Sequence, residues 1–300
     1  MSYLLNGGEM LVPVAPVKDA GQLKIFAGPE YSRGLIRKAS ASEAEGFDPR
    51  LSKFWEDISS IGAPLQFQPL PGTVAEAKSI SKSMPGAVIV QGKEASEEAF
   101  VQSGGGGILH IATHGFYLND SLLSSNEKRG LKRVKPAPPL GLETVEEKEQ
   151  GNWIGRRSLD HPLLKCGLVF SGANQLYDGD NDGVVTGMEV LNLDLRGTDL
   201  VVLSACETGV GEVIAGEGVL GLNQAFRVAG ASSLVTSLWK VSDEATAALM
   251  AGFYSGLSKG LTKREALQKA SESIRKTEKW SHPSYWSAFV LSGEAGALAK

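Results

Sequence analysis

The sequence predicts an α/β fold, a three-layer sandwich in which helices cover both faces of a mostly parallel sheet. Seven short apolar runs are typical of buried strands, and they alternate with longer segments of helical periodicity. The chain has 300 residues, of which 42% are hydrophobic, so it is long enough to bury a sizeable core. Ordinary hydrophobic burial should therefore stabilise the fold.

Strands are predicted where Val, Ile, Leu and Phe cluster between Gly, Ser or polar residues. All seven candidates are assigned to one sheet, as expected where strands and helices alternate. They are "LKIF" (23–26), "AVIV" (87–90), "ILHIAT" (108–113), "GLVFS" (167–171), "LVVLSA" (200–205), "SSLVTSL" (232–238) and "SAFVLS" (287–292).

Helices are predicted between these strands, and two other stretches lack any sustained period. The last helix has the clearest start, because Thr262 and Glu265 have the spacing of a capping box. Residues 1–20 are irregular, and residues 121–165 are rich in proline and charge, which indicates a long exposed loop inserted into a domain spanning 21–300. The predicted helices are 73–83, 94–102, 216–229, 243–257 and 263–276.

Composition argues against several classes of function. The formal net charge is −4 and aromatic residues make up 7% of the chain, so neither a basic field nor a stacking surface indicates direct nucleic-acid binding. Cys166 and Cys206 are the two cysteines, too few for a disulfide framework, and they suit a reducing compartment, so we expect a cytoplasmic protein. Since no apolar run reaches the roughly 20 residues that a membrane span requires, no membrane association is expected.

No cofactor and no metal site is predicted. The run "GGGG" (104–107) lacks the Lys-Ser/Thr pair of a phosphate-binding loop and precedes a strand, so it does not indicate nucleotide binding. The segment "GDNDG" (179–183) has the acids and glycines of a calcium loop, but it is interpreted as an exposed turn.

Two chemically reactive residues end two of the predicted strands. The stretch "GGGGILHIATHG" (104–115) runs through an apolar strand to His114 and Gly115, and "LVVLSACETGVG" (200–211) runs through another to Cys206. In open α/β sheets, sites form outside the carboxyl ends of the strands, because the loops converge there. Two parallel neighbouring strands would therefore bring His114 and Cys206 to one edge of the sheet.

A thiol beside an imidazole can hydrolyse amides. The thiolate is a strong nucleophile, and an imidazole can take its proton and later protonate the leaving amine. The backbone N–H groups of Gly115 and Cys206 would suit an oxyanion hole around the tetrahedral intermediate. A lone cysteine on an apolar strand is more often an inert buried thiol, so the spacing alone leaves both interpretations of Cys206 open.

Longer stretches around both residues closely resemble the CHAT family, caspase-like cysteine peptidases that are related to separases. The resemblance covers roughly residues 20 to 295 and is most specific around Cys206. The segments that carry it are "LKIFAGPEYS" (23–32), "LPGTVAEAKSI" (70–80), "ILHIATHG" (108–115), "LVVLSACETGVGEVIAGEGVLGLNQAFRVAGASSLVTSLWKVSDEATAALMAGFY" (200–254) and "HPSYWSAFVLSG" (282–293).

The resemblance implies a caspase-haemoglobinase fold and assigns roles to the matching residues. His114 would be the general base and acid, Cys206 the nucleophile, and the N–H groups of Gly115 and Cys206 the oxyanion hole. A protein substrate is implied, together with an activating partner, for which a tetratricopeptide-repeat protein is one candidate because the family often follows such repeats. Family members usually have one more strand and helix at the start, so residues 1–20 are interpreted as the remnant of a truncated first unit.

The same resemblance indicates three substrate-binding residues. In related peptidases the residue two positions before the nucleophile lines the pocket for the side chain preceding the cleaved bond, and here it is Ser204, which supplies no acid. Trp239 and Asp243 follow the "SSLVTSL" strand, in the region that shapes this pocket in caspase-like folds. Asp243 has an alternative role, because the helix dipole stabilises an acid in the first turn of a helix.

Two further residues are expected to be structural. Cys166 is interpreted as a buried small hydrophobic residue, and His110 as a packed, hydrogen-bonded core group. The leading functional prediction is a cysteine endopeptidase that cleaves a protein partner through His114 and Cys206. The alternative is a regulatory or scaffold module that keeps the fold and either reacts only when assembled or does not react.

Overall fold

A computed structural model of the chain describes residues 2–3, 21–32, 67–117, 161–174, 182–204, 206–207, 217–239 and 241–299, with the backbone alone for 2–3, 206–207 and 217–220. The strands in these ranges are Ser2–Tyr3 (β1), Leu23–Pro29 (β2), Val88–Gly92 (β3), Gly107–Ala112 (β4), His114–Tyr117 (β5), Cys166–Val169 (β6), Val184–Thr186 (β7), Thr198–Leu203 (β8), Cys206–Glu207 (β9), Ser233–Ser237 (β10) and Phe289–Gly293 (β11). The helices are Pro71–Ser83 (α1), Glu97–Val101 (α2), Gly187–Leu191 (α3), Glu217–Val228 (α4), Asp243–Ser258 (α5), Lys263–Lys276 (α6) and Pro283–Trp286 (α7), with 3-10 turns at Pro162–Leu164 and Glu278–Trp280.

The main sheet contains seven strands within the described ranges, in the order β1-β11-β10-β8-β4-β2-β3. The strands from β10 to β3 run parallel to one another, and β11 is antiparallel to β10. The short β1 pairs with the outer edge of β11. The mostly parallel sheet that the sequence predicts is thereby confirmed, with six of its seven predicted strands in place.

Helices cover both faces of the main sheet. Along β2, successive side chains point to opposite faces, so Ile25 packs among residues of α1, α5 and α6, whereas Phe26 packs among residues of α2, α3 and α4. Phe253 of α5 and Phe226 of α4 are fully buried in these two layers. This arrangement confirms the predicted three-layer sandwich.

The start of α6 agrees with its sequence signal. The Thr262 hydroxyl accepts the backbone N–H of Glu265 at 3.2 Å, and the Glu265 carboxylate accepts the backbone N–H of Thr262 at 3.0 Å. The bonds that the Glu265 carboxylate accepts from the Thr262 backbone N–H and from the Thr262 hydroxyl lower the pKa of Glu265. The capping box thus fixes the first residue of the helix, and α6 spans Lys263–Lys276 as predicted.

A second, smaller sheet lies beyond the ends of β4 and β8. Its described strands have the order β7-β6-β5-β9, and β6 is antiparallel to both β5 and β7. The assignment of all seven predicted strands to one sheet is therefore wrong for "GLVFS", which forms β6. The cause lies at Thr113, where the chain bends after β4 and the buried hydroxyl donates a hydrogen bond to the Val169 carbonyl at the end of β6.

Several sequence expectations lie outside the described part of the chain. Residues 4–20 and 118–160 contain most of the irregular first segment and of the charged insertion. The domain boundaries predicted from them stay predictions. Within the described ranges, no helix combines the length and the apolar character needed to cross a membrane.

Candidate active site

His114 and Cys206 lie side by side in the backbone of the small sheet. β5 and β9 pair in parallel, with His114 and Cys206 as Cα partners and Gly115 and Glu207 as the next pair. Paired strands lie about 4.8 Å apart. β5 and β9 follow closely on β4 and β8, which are parallel neighbours in the main sheet. Two strands that are distant in the sequence therefore place the two residues next to each other.

The imidazole of His114 is held by a backbone carbonyl and two aromatic rings. The side chain is buried, and its Nε2 lies 2.7 Å from the carbonyl oxygen of Gln68. A carbonyl can only accept, so we assign the hydrogen to Nε2, which leaves the lone pair of the neutral ring at Nδ1. The rings of Tyr31 and Phe67 flank the imidazole at centroid distances of 5.1 and 5.6 Å.

A short hydrogen-bond chain continues from the backbone of His114. The Tyr31 hydroxyl lies 3.0 Å from the Thr113 hydroxyl, whose single hydrogen is donated to Val169, so Tyr31 is the donor to Thr113. The backbone N–H of His114 donates to the Tyr31 oxygen. Burial raises the pKa of Tyr31 to about 12, although the bond that the His114 N–H donates acts in the opposite direction. Tyr31 therefore stays a neutral donor at physiological pH.

The predicted oxyanion hole starts from Gly115. In β5 this residue lies between two strands, opposite Leu168 of β6 and Glu207 of β9. Residues 208–216, which follow β9 in the sequence, lie outside the described ranges. The roles of the Gly115 and Cys206 N–H groups stay predictions.

Two of the predicted substrate-binding residues follow adjacent parallel strands. Ser204 comes directly after β8, is buried, and donates its backbone N–H to Ile111 of β4 at 2.9 Å. Its hydroxyl has no hydrogen-bond partner among the described residues. Trp239 comes after β10, is 37% exposed, and donates its indole N–H to the Ser284 carbonyl at 2.9 Å. Both residues therefore lie at the carboxyl edge of the main sheet.

Asp243, the third predicted substrate-binding residue, is the exposed first residue of α5 and lies against α1. A Cβ atom added to Gly72 would meet the Cβ and Oδ2 atoms of Asp243 at 2.6 Å. Since α1 begins three residues after Gln68, Asp243 lies next to the segment that holds His114. Its position in the first turn of α5 also agrees with the alternative role, in which the helix dipole stabilises the Asp243 carboxylate.

The two residues expected to be structural are confirmed as buried groups. Cys166 is fully buried, with its Sγ 3.9 Å from the Leu163 carbonyl. His110 is also fully buried, and its Nδ1 lies 3.1 Å from the Tyr254 hydroxyl. Its Nε2 lies 3.1 Å from Oε1 of Glu76, at an angle that makes no hydrogen bond. The predicted packed core histidine is therefore confirmed.

The interpretation of "GDNDG" as an exposed turn is wrong at its last residue. Gly183 is buried and donates its N–H to Oε2 of Glu97 at 3.0 Å, which holds the start of β7 in place. Burial raises the pKa of Glu97 to about 9, and the charges of Asp182 and Glu189 add to that effect. Gly183 is thus part of the support for the small sheet.

Glu189 stands six residues after Gly183, which is the spacing of the last ligand in a calcium loop. Its carboxylate accepts the backbone N–H of Thr186 at 2.7 Å and closes a capping box at the start of α3. Among the described residues, no group of three His, Cys, Asp or Glu side chains could hold a metal ion. The described contacts of Glu189 are those of a helix cap, and the expectation of no metal site stays a prediction.

One family model and two curated proteins match this chain. The family model of the CHAT domain matches residues 17–294. Tetratricopeptide repeat protein 28 of Homo sapiens is 37% identical over 110 residues, which are 37% of this chain and 4% of that protein. The protein of the same name from Mus musculus is 36% identical over 110 residues, with the same shares of each chain. The chain therefore spans about 4% of the length of these curated relatives.

Proposed function

This chain belongs to the CHAT domain family, and on that premise we propose that it is a cysteine endopeptidase that cleaves a protein partner through His114 and Cys206. The observation that carries the proposal is the pairing of these two residues as Cα partners in adjacent strands. The family is caspase-like, and a thiol with a neighbouring imidazole is the pair of groups that nucleophilic amide hydrolysis requires.

In the first half-reaction, Nδ1 of His114 takes the proton of the Cys206 thiol. The thiolate attacks the carbonyl carbon of the scissile bond, and the π electron pair moves onto the oxygen. The N–H groups of Gly115 and Cys206 stabilise that oxyanion. The imidazolium then gives its proton to the leaving amine as the C–N bond breaks, which leaves a thioester on Cys206.

In the second half-reaction, water replaces the amine. Nδ1 of His114 takes a proton from the water, whose oxygen attacks the thioester, and the Cys206 sulfur leaves and recovers the proton. Throughout both steps the Gln68 carbonyl accepts the Nε2 hydrogen, at 2.7 Å in the resting structure. Both the neutral ring and the imidazolium carry a hydrogen at Nε2, so this bond keeps the ring in one orientation while Nδ1 gains and loses the proton.

Ser204, Trp239 and Asp243 are proposed to line the pocket for the side chain that precedes the cleaved bond. Support comes from their positions after β8, after β10 and at the start of α5, at the edge where β4 leads to His114. The exposed Trp239 ring and Asp243 carboxylate can contact a substrate without any change in the sheet.

A second candidate is a module of the same fold that reacts only when a partner is bound. The observation that favours it is the similarity to tetratricopeptide repeat protein 28. A protein with such repeats is accordingly the proposed activating partner.

A thiol-directed activity probe tests the proposal, with Cys166→Ala as the matched control for the buried second thiol. The wild-type protein and Cys166→Ala should be labelled and should cleave members of a peptide library, whereas Cys206→Ala should do neither. Labelling that appears only after a tetratricopeptide-repeat partner is added identifies the gated module. Absence of labelling and cleavage, with and without that partner, would overturn the proposal.

A further inference from the structure

The side chain of Asn174 makes an unusually complete set of bonds to the backbone near His114. Its Oδ1 accepts the N–H of Phe67 at 2.7 Å, and its Nδ2 donates to the carbonyl of the same residue at 2.9 Å. The second hydrogen of Nδ2 goes to the Ser32 hydroxyl at 3.1 Å. One amide thus satisfies both backbone groups of Phe67, as a neighbouring strand would do in a ladder.

The backbone of Asn174 also binds a second segment near His114, the one that contains Tyr31. Its N–H donates to the Tyr31 carbonyl at 2.9 Å, and the turn that begins at Ser171 donates two further bonds to the Glu30 carbonyl. Tyr31 and Phe67 are the two rings that flank the imidazole of His114. Asn174 therefore connects the two segments that enclose this ring.

The segment held by Asn174 supplies the acceptor for Nε2 of His114. Phe67 to Leu70 belong to no helix or strand, so no strand ladder fixes their position. Thr73 holds the far end, because its hydroxyl donates to the Leu70 carbonyl at 2.7 Å. Asn174 holds the near end at Phe67, one residue before Gln68.

We propose that Asn174 is a positioning residue, whose side-chain amide places the Gln68 carbonyl so that His114 keeps its hydrogen at Nε2 and its proton-accepting lone pair at Nδ1. The catalytic consequence rests on the proposed peptidase function, whereas the position of the hydrogen does not. A displacement of about 1 Å in a catalytic group can cost roughly 10²-fold in rate. Loss of the amide should therefore lower turnover while leaving substrate binding nearly intact.

The first measurement is the tautomer of His114, read from the ¹⁵N shifts of its ring nitrogens in histidine-labelled full-length protein. The chain has four histidines, so His114→Gln assigns the signal. Wild-type protein should show a neutral ring with the hydrogen at Nε2, and Asn174→Ala should shift the signal toward a mixture of both tautomers. Asn174→Asp keeps the acceptor for Phe67 but loses the donor, so it should give an intermediate shift.

Asn192→Ala is the matched control, because it also removes an asparagine amide, but one that is exposed and donates to the Met188 carbonyl within α3. It should leave the tautomer and the kinetics unchanged. With a cleavable peptide, Asn174→Ala should lower kcat by about 10- to 100-fold and change KM by less than about threefold.

If the wild-type protein cleaves nothing, the proposed function fails and the tautomer still decides the role of Asn174. A wild-type tautomer in folded Asn174→Ala would overturn that role, as would a lower melting temperature with an unchanged tautomer and kcat. If Asn174→Ala does not fold, Asn174→Asp decides in the same way.

Discussion

Two buried histidines, four residues apart, lie in two different environments. His110 belongs to the main sheet, and its described neighbours, Glu76 of α1 and Tyr254 of α5, are ionisable groups. His114 belongs to the small sheet, where a backbone carbonyl accepts from its Nε2 and aromatic rings flank it. A carbonyl can only accept and does not titrate, so it fixes the hydrogen of the neutral His114 ring at Nε2. Both histidines are buried. Their hydrogen-bond partners distinguish His110, a core group, from His114, the candidate proton carrier.

The largest expected effect distinguishes the two histidines by activity. His114→Gln should lower kcat/KM by about 10³-fold, because the general base of the proposed mechanism is removed. His110→Gln is the matched control and should change kcat/KM of the folded protein by less than about threefold. Initial rates of peptide cleavage measure both values. Equal losses in the two variants would contradict the assignment.

Stability measurements should show that His110 is a structural residue. His110→Ala should lower the free energy of unfolding by about 3 kcal/mol, because it leaves a cavity and removes the partner of the buried Tyr254 hydroxyl. Urea denaturation followed by circular dichroism measures the change. Lys279→Ala, which breaks an exposed ion pair with Glu244, should cost less than about 0.5 kcal/mol. A similar cost for both variants would disagree with the structural role of His110.

The buried acid Glu97 provides a test of how the stability of the small sheet depends on pH. Burial raises the pKa of Glu97 from about 4.5 to about 9, so between these values the folded state binds a proton that the unfolded state has released. Stability from this group is greatest below pH 4.5 and is lost as the pH rises toward 9, with a slope of up to about 1.4 kcal/mol per pH unit.

Glu97→Gln should flatten this slope, since the amide has no proton to lose. The exposed neighbouring substitution Glu98→Gln should leave the slope unchanged. Unfolding free energies at pH 6, 7.5 and 9 compare the three proteins. A wild-type slope in Glu97→Gln would show that the titration of Glu97 does not affect the small sheet.

The smallest expected effect concerns the covering helices of the main sheet. Thr262→Ala should lower the free energy of unfolding by about 1 kcal/mol, because it removes the hydroxyl that accepts the Glu265 N–H. Ser242→Ala at the start of α5 should cost much less, since Ser242 makes no side-chain cap bond there. Thermal unfolding of the two variants is a sufficient measurement. An equal loss in both would argue against the cap.

The main sheet and its helices could be predicted from the sequence because their signals are local. The capping box at Thr262 lies next to the helix it starts, and strands such as β8 are long enough to show an unbroken apolar run. The small sheet lacks such signals. β7 has three residues and β9 has two, which is too short for any periodic pattern.

The candidate site was only half predictable, for a related reason. His114 and Cys206 could be selected because their residue types carry chemistry and they follow apolar strands. Gln68 and Asn174 could not, since Gln68 acts through a backbone carbonyl 46 positions from its partner and Asn174 through an amide 107 positions from its own. A hydrogen bond between a side chain and a distant backbone group produces no pattern in the neighbouring sequence.

The ladder between β5 and β9 is made by the main chain, so exchanging the sulfur of Cys206 for a hydrogen alters none of its hydrogen bonds. An inactivated Cys206→Ala protein should therefore still recognise its natural target and release no fragments. Used as immobilised bait in a cell extract, it should retain that target whole for identification by mass spectrometry.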